Sequence, residues 1–363
     1  MTLRVLVVGD PYMPVSAYAG PLAGLEGRVE LSMMQIDETT SAPPVTESER
    51  GLREYVGDPA EVARAVAGHD VLIVHGAAVS AEVLSAAPLR LVCCARGGPV
   101  NVDVAAATGR GIPVVNTPGK NAEAVAELTI AFALLLVRAV PRASRHLLAG
   151  GAFAESVFEG REFFGREAAS LTMGLVGLGH VGREVARRAR ALGFTVLGYD
   201  PQPPPPRAGV ELVSLDTLLA RSDIVSLHAR LTPENRLMFS RERFARMRPG
   251  ACFINTARES LVDERALRQA LEQGTLGGAA LDVLERTPDR HPLLDLPNVL
   301  VTPHIGGATT ETLTRGAQRA VSAVTELLAG RIPADVVNPQ VLRARVAPAQ
   351  VTRAQVTRGG AAL

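Results

Sequence analysis

The sequence predicts an α/β protein with parallel sheets in two domains, and three observations carry that prediction. Short apolar runs alternate with helix-patterned stretches along most of the chain, as expected for parallel strands joined by crossover helices. A glycine-rich turn, Gly177-Leu178-Gly179-His180-Val181-Gly182, stands between one such run and a helix. The length, 363 residues, is large for one core, so two domains are expected.

Residues 4–9 (RVLVVG) form the first strand, turned at its carboxyl end by Asp10-Pro11. Strand-like runs follow at residues 29–34, 71–74, 89–94 and 112–115, with helical patterns such as 59–67 and 102–107 between them. Residues 40–50 are polar and proline-containing and read as a surface loop. Asn116-Thr117-Pro118-Gly119 is a turn cluster that closes this unit near residue 117. A helix is expected over residues 122–140, with Asn121 as N-cap and Glu123 favourable in the first turn. It is apolar almost all round, so it belongs in a large core or against a partner subunit.

The glycine turn is preceded by a buried strand at 171–176 and followed by a helix at 183–192. A second apolar run, 194–199, ends in Asp200, eighteen residues after Gly182. That is the spacing of a Rossmann βαβ unit. Gly177 permits the tight turn, Gly179 lets the backbone approach a pyrophosphate, and Gly182 lets helix pack on strand. His180 and Val181 then open the helix whose N-terminus faces the anion. Asp200 would accept from the adenosine ribose hydroxyls and repel a 2′-phosphate, so the expected cofactor is NAD rather than NADP. A stiff spacer at 203–206 follows, and then apolar runs at 224–227, 252–255, 278–281 and 299–302 continue the sheet.

Polar residues stand where these runs end: His228, then Asn255, Thr256, Ala257 and Arg258, then Asp282, and His304 followed by Gly306. A single strand-end histidine is most often a satisfied structural one. Here all converge on the edge that holds the dinucleotide. Hydride transfer from a secondary alcohol needs a base for the hydroxyl proton, a cation for the carbonyl oxygen and neighbouring carboxylate, and an acceptor to orient the nicotinamide. His304, Arg258 and Asp282 supply these. The loop 95–103, with Arg96, Gly97 and Gly98, could cradle a carboxylate with its free N–H groups, or could be a plain interdomain turn.

Composition excludes several classes. Lys and Arg number 38 against 37 Asp and Glu, a net charge of +1, which points to no nucleic acid, membrane surface or polyanion. Lys120 is the only lysine, which we read as base-composition bias. Cys93, Cys94 and Cys252 lie in apolar runs without metal-ligand spacing, so free buried thiols and no metal are expected. The N-terminus lacks a signal-peptide pattern. The longest apolar run, 128–137, is about half the ~20 residues that cross a bilayer. A soluble, cytoplasmic protein is expected. A helix at 311–328 stops at Gly330, 332–339 reads as extended, and 341–363 is a basic Ala/Arg tail.

From about Val71 to Pro339 the chain resembles the D-isomer-specific 2-hydroxyacid dehydrogenases, a family that includes D-3-phosphoglycerate dehydrogenase. Five ordered motifs carry the resemblance: Asn116-Thr117-Pro118 with Asn121 and Val125-Ala126-Glu127; Gly174 to Gly179; Asn255 to Glu264; Ala280-Leu281-Asp282-Val283; and Thr302-Pro303-His304-Ile305-Gly306-Gly307. The resemblance implies a flavodoxin-like substrate domain, residues 1–117 plus 306–340, a Rossmann NAD-binding domain, residues 118–305, and an active-site cleft between them. It implies an NAD-dependent oxidoreductase acting on a CH–OH group, the substrate being a 2-hydroxy or 2-oxo acid, with a phosphorylated, 3-phosphoglycerate-like acid among the candidates. Arg258 matches the substrate-binding arginine, His304 the acid/base, and a homodimer would form through the 122–140 region.

Four departures matter. The glutamate that partners the catalytic histidine is Thr287 here, with Glu285 the nearest acid. Either Glu285 reaches His304 in its place, or His304 titrates lower than in its relatives. Arg230 replaces a usual proline, and we read it as a surface residue. The 95–103 loop lacks the usual Asp before Asn101, and its Arg96 would suit a second anionic group on the substrate. Nothing after Pro339 resembles a regulatory domain. The rival reading is an NAD(H)-sensing interaction or regulatory protein on the same fold, a role some relatives have, which the missing glutamate favours.

Overall fold

Residues 2–151, 159–203, 205 and 209–342 are described by a computed structural model, in which the chain divides into two units, Met1–Pro118 with Leu313–Leu363, and Gly119–Thr312. The basic tail beyond Leu342 and part of the 203–206 spacer lie outside the described residues.

The first unit holds β1 (Leu3–Gly9), β2 (Val29–Gln35), β3 (Val71–Val74), β4 (Leu91–Cys94) and β5 (Val114–Val115). They pair in the order β2-β1-β3-β4-β5, all parallel. Parallel sheets are covered on both faces, so their strands read as continuous apolar runs, and β1 shows why. Val5 and Val7 pack with Ala317, Ala320 and Val324 of the helix Thr310–Leu328 on one face. Leu6 and Val8 pack with Val62, Val66, Val83 and Leu84 on the other. β5 is shorter than expected because Pro113 has no N–H to donate to a ladder. The region expected to be loop at 40–50 contains a short helix, Glu47–Gly51, started by a capping box in which Thr46 accepts from the Glu49 amide and Glu49 from the Thr46 amide.

The second unit holds β6 (Thr172–Val176), β7 (Thr195–Tyr199), β8 (Glu211–Leu212), β9 (Ile224–Leu227), β10 (Ala251–Asn255), β11 (Leu276–Leu281) and β12 (Val299–Val301). Their order is β12-β11-β10-β9-β6-β7-β8, again all parallel. The chain leaves β6 to one side for β7 and returns on the other with β9. That reversal is the topological switch point at which doubly wound sheets bind ligands. Phe239, Phe244 and Phe253 form an aromatic triangle with centroids 4.8–5.7 Å apart on one face. Ala126, Ile130, Phe132 and Ala133 cover the other.

Those four residues lie on the helix Ala122–Val137, which ends earlier than periodicity suggests. Ala139 sits in the left-handed region (φ 53°), and a second helix, Val140–Leu148, starts with Pro141 in its first turn, bent by 68° from the first. Asn121 occupies the N-cap position, but its side chain makes no capping bond. Among the described residues no single helix is long and apolar enough to cross a membrane.

Candidate active site

The sequence-predicted residues of the second unit all stand at the carboxyl edge of its sheet. Gly177 follows β6, Asp200 follows β7, His228 follows β9, Thr256 to Arg258 follow β10, Asp282 follows β11, and His304 stands three residues beyond β12.

The glycine turn is shaped for an anion. Gly177 has φ 96°, and a Cβ there would sit 2.7 Å from the Ala229 nitrogen. A Cβ on Gly182 would lie 2.0 Å from the Gly177 carbonyl oxygen, so only glycine lets the helix approach the turn. A Cβ on Gly179 meets nothing within 4 Å, which leaves open space where the backbone would face a pyrophosphate. The helix His180–Ala191 starts here, three residues earlier than expected, and no side chain caps it. Its first-turn amides, those of His180 and Val181 included, are the donors a helix start leaves for a ligand. His180 itself is exposed and lies against Gly119, where a Cβ would come 2.8 Å from its Cδ2. Asp200 accepts from the Leu178 amide (2.8 Å) and the Gln202 amide (2.9 Å), tying the turn to β7.

His228 closes β9, with Nε2 3.0 Å from the Ser226 hydroxyl and a buried Nδ1 that has no hydrogen-bond partner. Burial pushes its imidazole down to about 3, so it is neutral at physiological pH. An orphaned buried nitrogen beside the glycine turn fits a site completed by a polar ligand. These residues fit a dinucleotide. After β10, the buried Asn255 accepts from the Ala257 amide (2.9 Å) and donates to the Arg258 carbonyl (3.0 Å). Arg258 in turn donates from Nη1 to the Ala257 carbonyl (2.7 Å). The Thr256 and Thr129 hydroxyls are 3.2 Å apart, so Thr256 is tied to the helix Ala122–Val137.

Asp282 has a structural task that its sequence position does not disclose. It is 2% exposed, and its Oδ1 accepts from the Thr302 hydroxyl (2.6 Å) and the Ile305 amide (2.8 Å). Oδ2 accepts from the Gly306 amide (2.8 Å). The carboxylate thus holds the turn on which His304 sits, and His304 takes a left-handed backbone (φ 60°), uncommon outside glycine. Gly306 is required by packing, since a Cβ would sit 2.7 Å from Asp282 Oδ2.

Of the two alternatives for the position of Thr287, the contact between Glu285 and His304 is not made. Both are exposed, and among the described residues no carboxylate bonds the His304 ring. The reason is local: the Glu285 amide donates to Glu264 Oε1 (2.9 Å), and the Thr287 hydroxyl donates to the Asp289 carbonyl (2.7 Å). Glu264 Oε2 also bonds His291 Nε2 (2.8 Å), so one carboxylate staples both ends of the 285–291 segment to the helix Glu264–Glu272. Burial raises the Glu264 carboxyl, against the lowering pull of the Glu285 amide and of His291. Sequence reading missed this staple, because nothing in the spacing of Glu264 and His291 marks them as partners.

In the first unit, among the described residues the amides of Gly97 and Gly98 donate to no protein acceptor, and a Cβ on either meets nothing within 4 Å. The expected open cation beside them is not open. Arg96 gives Nη1 to the Glu54 carbonyl (2.6 Å) and Nη2 to the Glu54 carboxylate. Arg230, by contrast, is exposed as expected.

Sheet order, switch point and glycine turn together define a dinucleotide-binding protein. The sequence model of the D-isomer specific 2-hydroxyacid dehydrogenase NAD binding domain matches residues 130–306. The chain is 43% identical over 280 residues to D-3-phosphoglycerate dehydrogenase of Mycobacterium tuberculosis, covering 76% of this chain and 52% of that protein. It is 41% identical over 248 residues to hydroxypyruvate reductase of Thermotoga maritima, covering 67% of this chain and 79% of that one. A solved structure, the TT0316 protein from Thermus thermophilus, superposes with a TM-score of 0.73 at 36% identity, over 92% of this chain and all of that one. The chain belongs to the D-isomer specific 2-hydroxyacid dehydrogenase family, and its second unit carries the family's NAD-binding domain. It spans about half the length of the phosphoglycerate dehydrogenases it matches.

Proposed function

We propose that the protein is an NAD-dependent D-2-hydroxyacid dehydrogenase, or a 2-oxoacid reductase in the other direction. The observation that carries this reading is the carboxyl edge of the second unit's sheet, where the glycine turn, Arg258 and His304 follow strands of one sheet. NAD, when bound, accepts or supplies the hydride at nicotinamide C4. In oxidation His304 takes the proton of the C2 hydroxyl as the C2 hydride leaves, and in reduction it returns that proton to the carbonyl oxygen. Arg258 holds the carboxylate and polarises the carbonyl oxygen; β10 and β12 flank β11, so the strands that carry Arg258 and His304 lie about 10 Å apart. Asp282 keeps His304 in place through the Thr302–Gly306 turn. Gly177, Gly179, His180, Val181, Gly182, Asp200, His228, Thr256 and Ala257 take the dinucleotide. Residues 1–117 with 306–340 act as the substrate domain, where the Gly97 and Gly98 amides receive the acid.

On this reading the protein is cytoplasmic and homodimeric through the 122–140 region. Exposed apolar side chains at Val140, Leu147 and Leu148 support the dimer. That no carboxylate among the described residues bonds the His304 ring favours one alternative, an NAD(H)-sensing protein without turnover. NADH oxidation with a panel of 2-oxo acids tests the two. Turnover with any acid supports the enzyme; tight NADH binding with no turnover supports the sensor and refutes the enzyme.

A further inference from the structure

The first unit has a topological switch point of its own. β1 is flanked by β2 on one side and β3 on the other, and such a sheet receives ligands in the crevice at the carboxyl ends of the strands that flank the reversal. Asp10 follows β1 and His75 follows β3. Asp10 Oδ2 accepts from His75 Nδ1 (2.9 Å) and the Gly76 amide (2.7 Å), and Oδ1 accepts from the Tyr12 and Met13 amides (2.9 Å each). The Tyr12 ring stacks on His75, with centroids 4.9 Å apart and planes 10° from parallel.

One strand further, at the end of β4, Arg96 is committed to Glu54 through both its carbonyl and its carboxylate. Glu54 holds a left-handed backbone (φ 53°), and both of its acceptors serve one guanidinium. The basic side chains next to the ends of β3 and β4 are therefore each matched by a carboxylate of the same unit. Glu54 (−1) and Arg96 (+1) cancel as a pair, and the Asp10–His75 pair is neutral with His75 protonated and −1 with it neutral, so neither pair carries a net positive charge.

We propose that this edge selects 2-oxo acids whose substituent beyond C2 is uncharged, and that Glu54 is the residue that rejects a phosphorylated one. The proposal rests on the reading that the first unit binds the acid. A phosphate monoester carries close to two negative charges at neutral pH. To use Arg96 it must displace Glu54 and then tolerate that carboxylate at its side. A hydroxyl or methyl substituent needs no such displacement, and the glycine amides beside Arg96 stay available for its carboxylate.

The test compares kcat/KM for NADH-dependent reduction of hydroxypyruvate and of its 3-phosphate, in the wild type and in Glu54→Gln and Glu54→Ala. Glu54 is 44% exposed, and apo thermal melts check that both variants fold. The wild type should favour the unphosphorylated acid by about tenfold or more, and both variants should narrow that ratio about tenfold, mainly through KM for the phosphorylated acid. A wild type that prefers the phosphorylated acid, or a ratio unchanged in both variants, overturns the proposal. If neither compound nor any other 2-oxo acid is reduced, the enzyme reading falls and this proposal falls with it.

Discussion

Replacing Asp282 with asparagine separates two roles that its place in the sheet allows. Three donors converge on the carboxylate, two on Oδ1 and the Gly306 amide on Oδ2. An asparagine whose oxygen serves Thr302 and Ile305 must turn its NH2 toward the Gly306 N–H, donor against donor. The loss is one hydrogen bond to a charged acceptor, about 1.5–3 kcal/mol, together with a buried amide left unpaired. Taken together, about 2–4 kcal/mol is expected, which for a unit of this size lowers the melting temperature of the apo protein by about 4–16 °C. His304 rides on the released turn, and a displacement near 1 Å costs about a hundredfold in kcat. Differential scanning calorimetry without cofactor, followed by steady-state kinetics, measures both. A residue that only orients the nicotinamide would leave the apo melt unchanged. Asp282→Asn with wild-type melting and wild-type kcat would refute the reasoning.

Other predictions follow from the cofactor edge. Gly182→Ala places a methyl 2.0 Å from the Gly177 carbonyl oxygen, so the turn must move and NADH affinity should fall roughly 10- to 100-fold; fluorescence titration showing an unchanged Kd would contradict the packing account. His228, held down to about 3 in the fold against about 6.5 in the unfolded chain, binds its proton more readily when unfolded. Its contribution therefore makes stability fall as pH drops from about 6.5 towards 3, and urea melts of His228→Gln should show a shallower acid slope. In the native protein its ring resonances should not titrate between about pH 5 and 8; a midpoint near 6.5 would contradict it.

Most of the architecture was legible because buried parallel strands read as short apolar runs and the residue after each run falls at the ligand edge. Gly177, Gly179, Gly182 and Asp200 stand where their spacing implied, since that spacing is fixed by one local βαβ unit. What escaped was either a weak local signal or a long-range partnership. The Glu47–Gly51 helix hid in a polar stretch whose Thr46-x-x-Glu49 box was its only marker. The break at Ala139 lies inside unbroken apolar periodicity, with only Pro141 to announce it. Asp282 meets Gly306 across 24 positions, His291 meets Glu264 across 27, and Asp10 meets His75 across 65. No periodicity encodes such pairs; they exist only once strands are in register. The vacancy at Thr287 was visible, but that Glu285 does not fill it depends on where the folded chain carries the 285–291 segment.

The central claim is that the second unit's carboxyl edge passes a hydride between nicotinamide and C2 of an acid, with His304 handling the proton. Reduction of a 2-oxo acid by NADH carrying deuterium at both C4 positions of the nicotinamide tests it most directly, with mass spectrometry and chiral analysis of the product. The account predicts deuterium at C2 of a D-2-hydroxy acid, and loss of that product in His304→Asn with NADH affinity retained. A product without deuterium at C2, or undiminished turnover by His304→Asn, would contradict it.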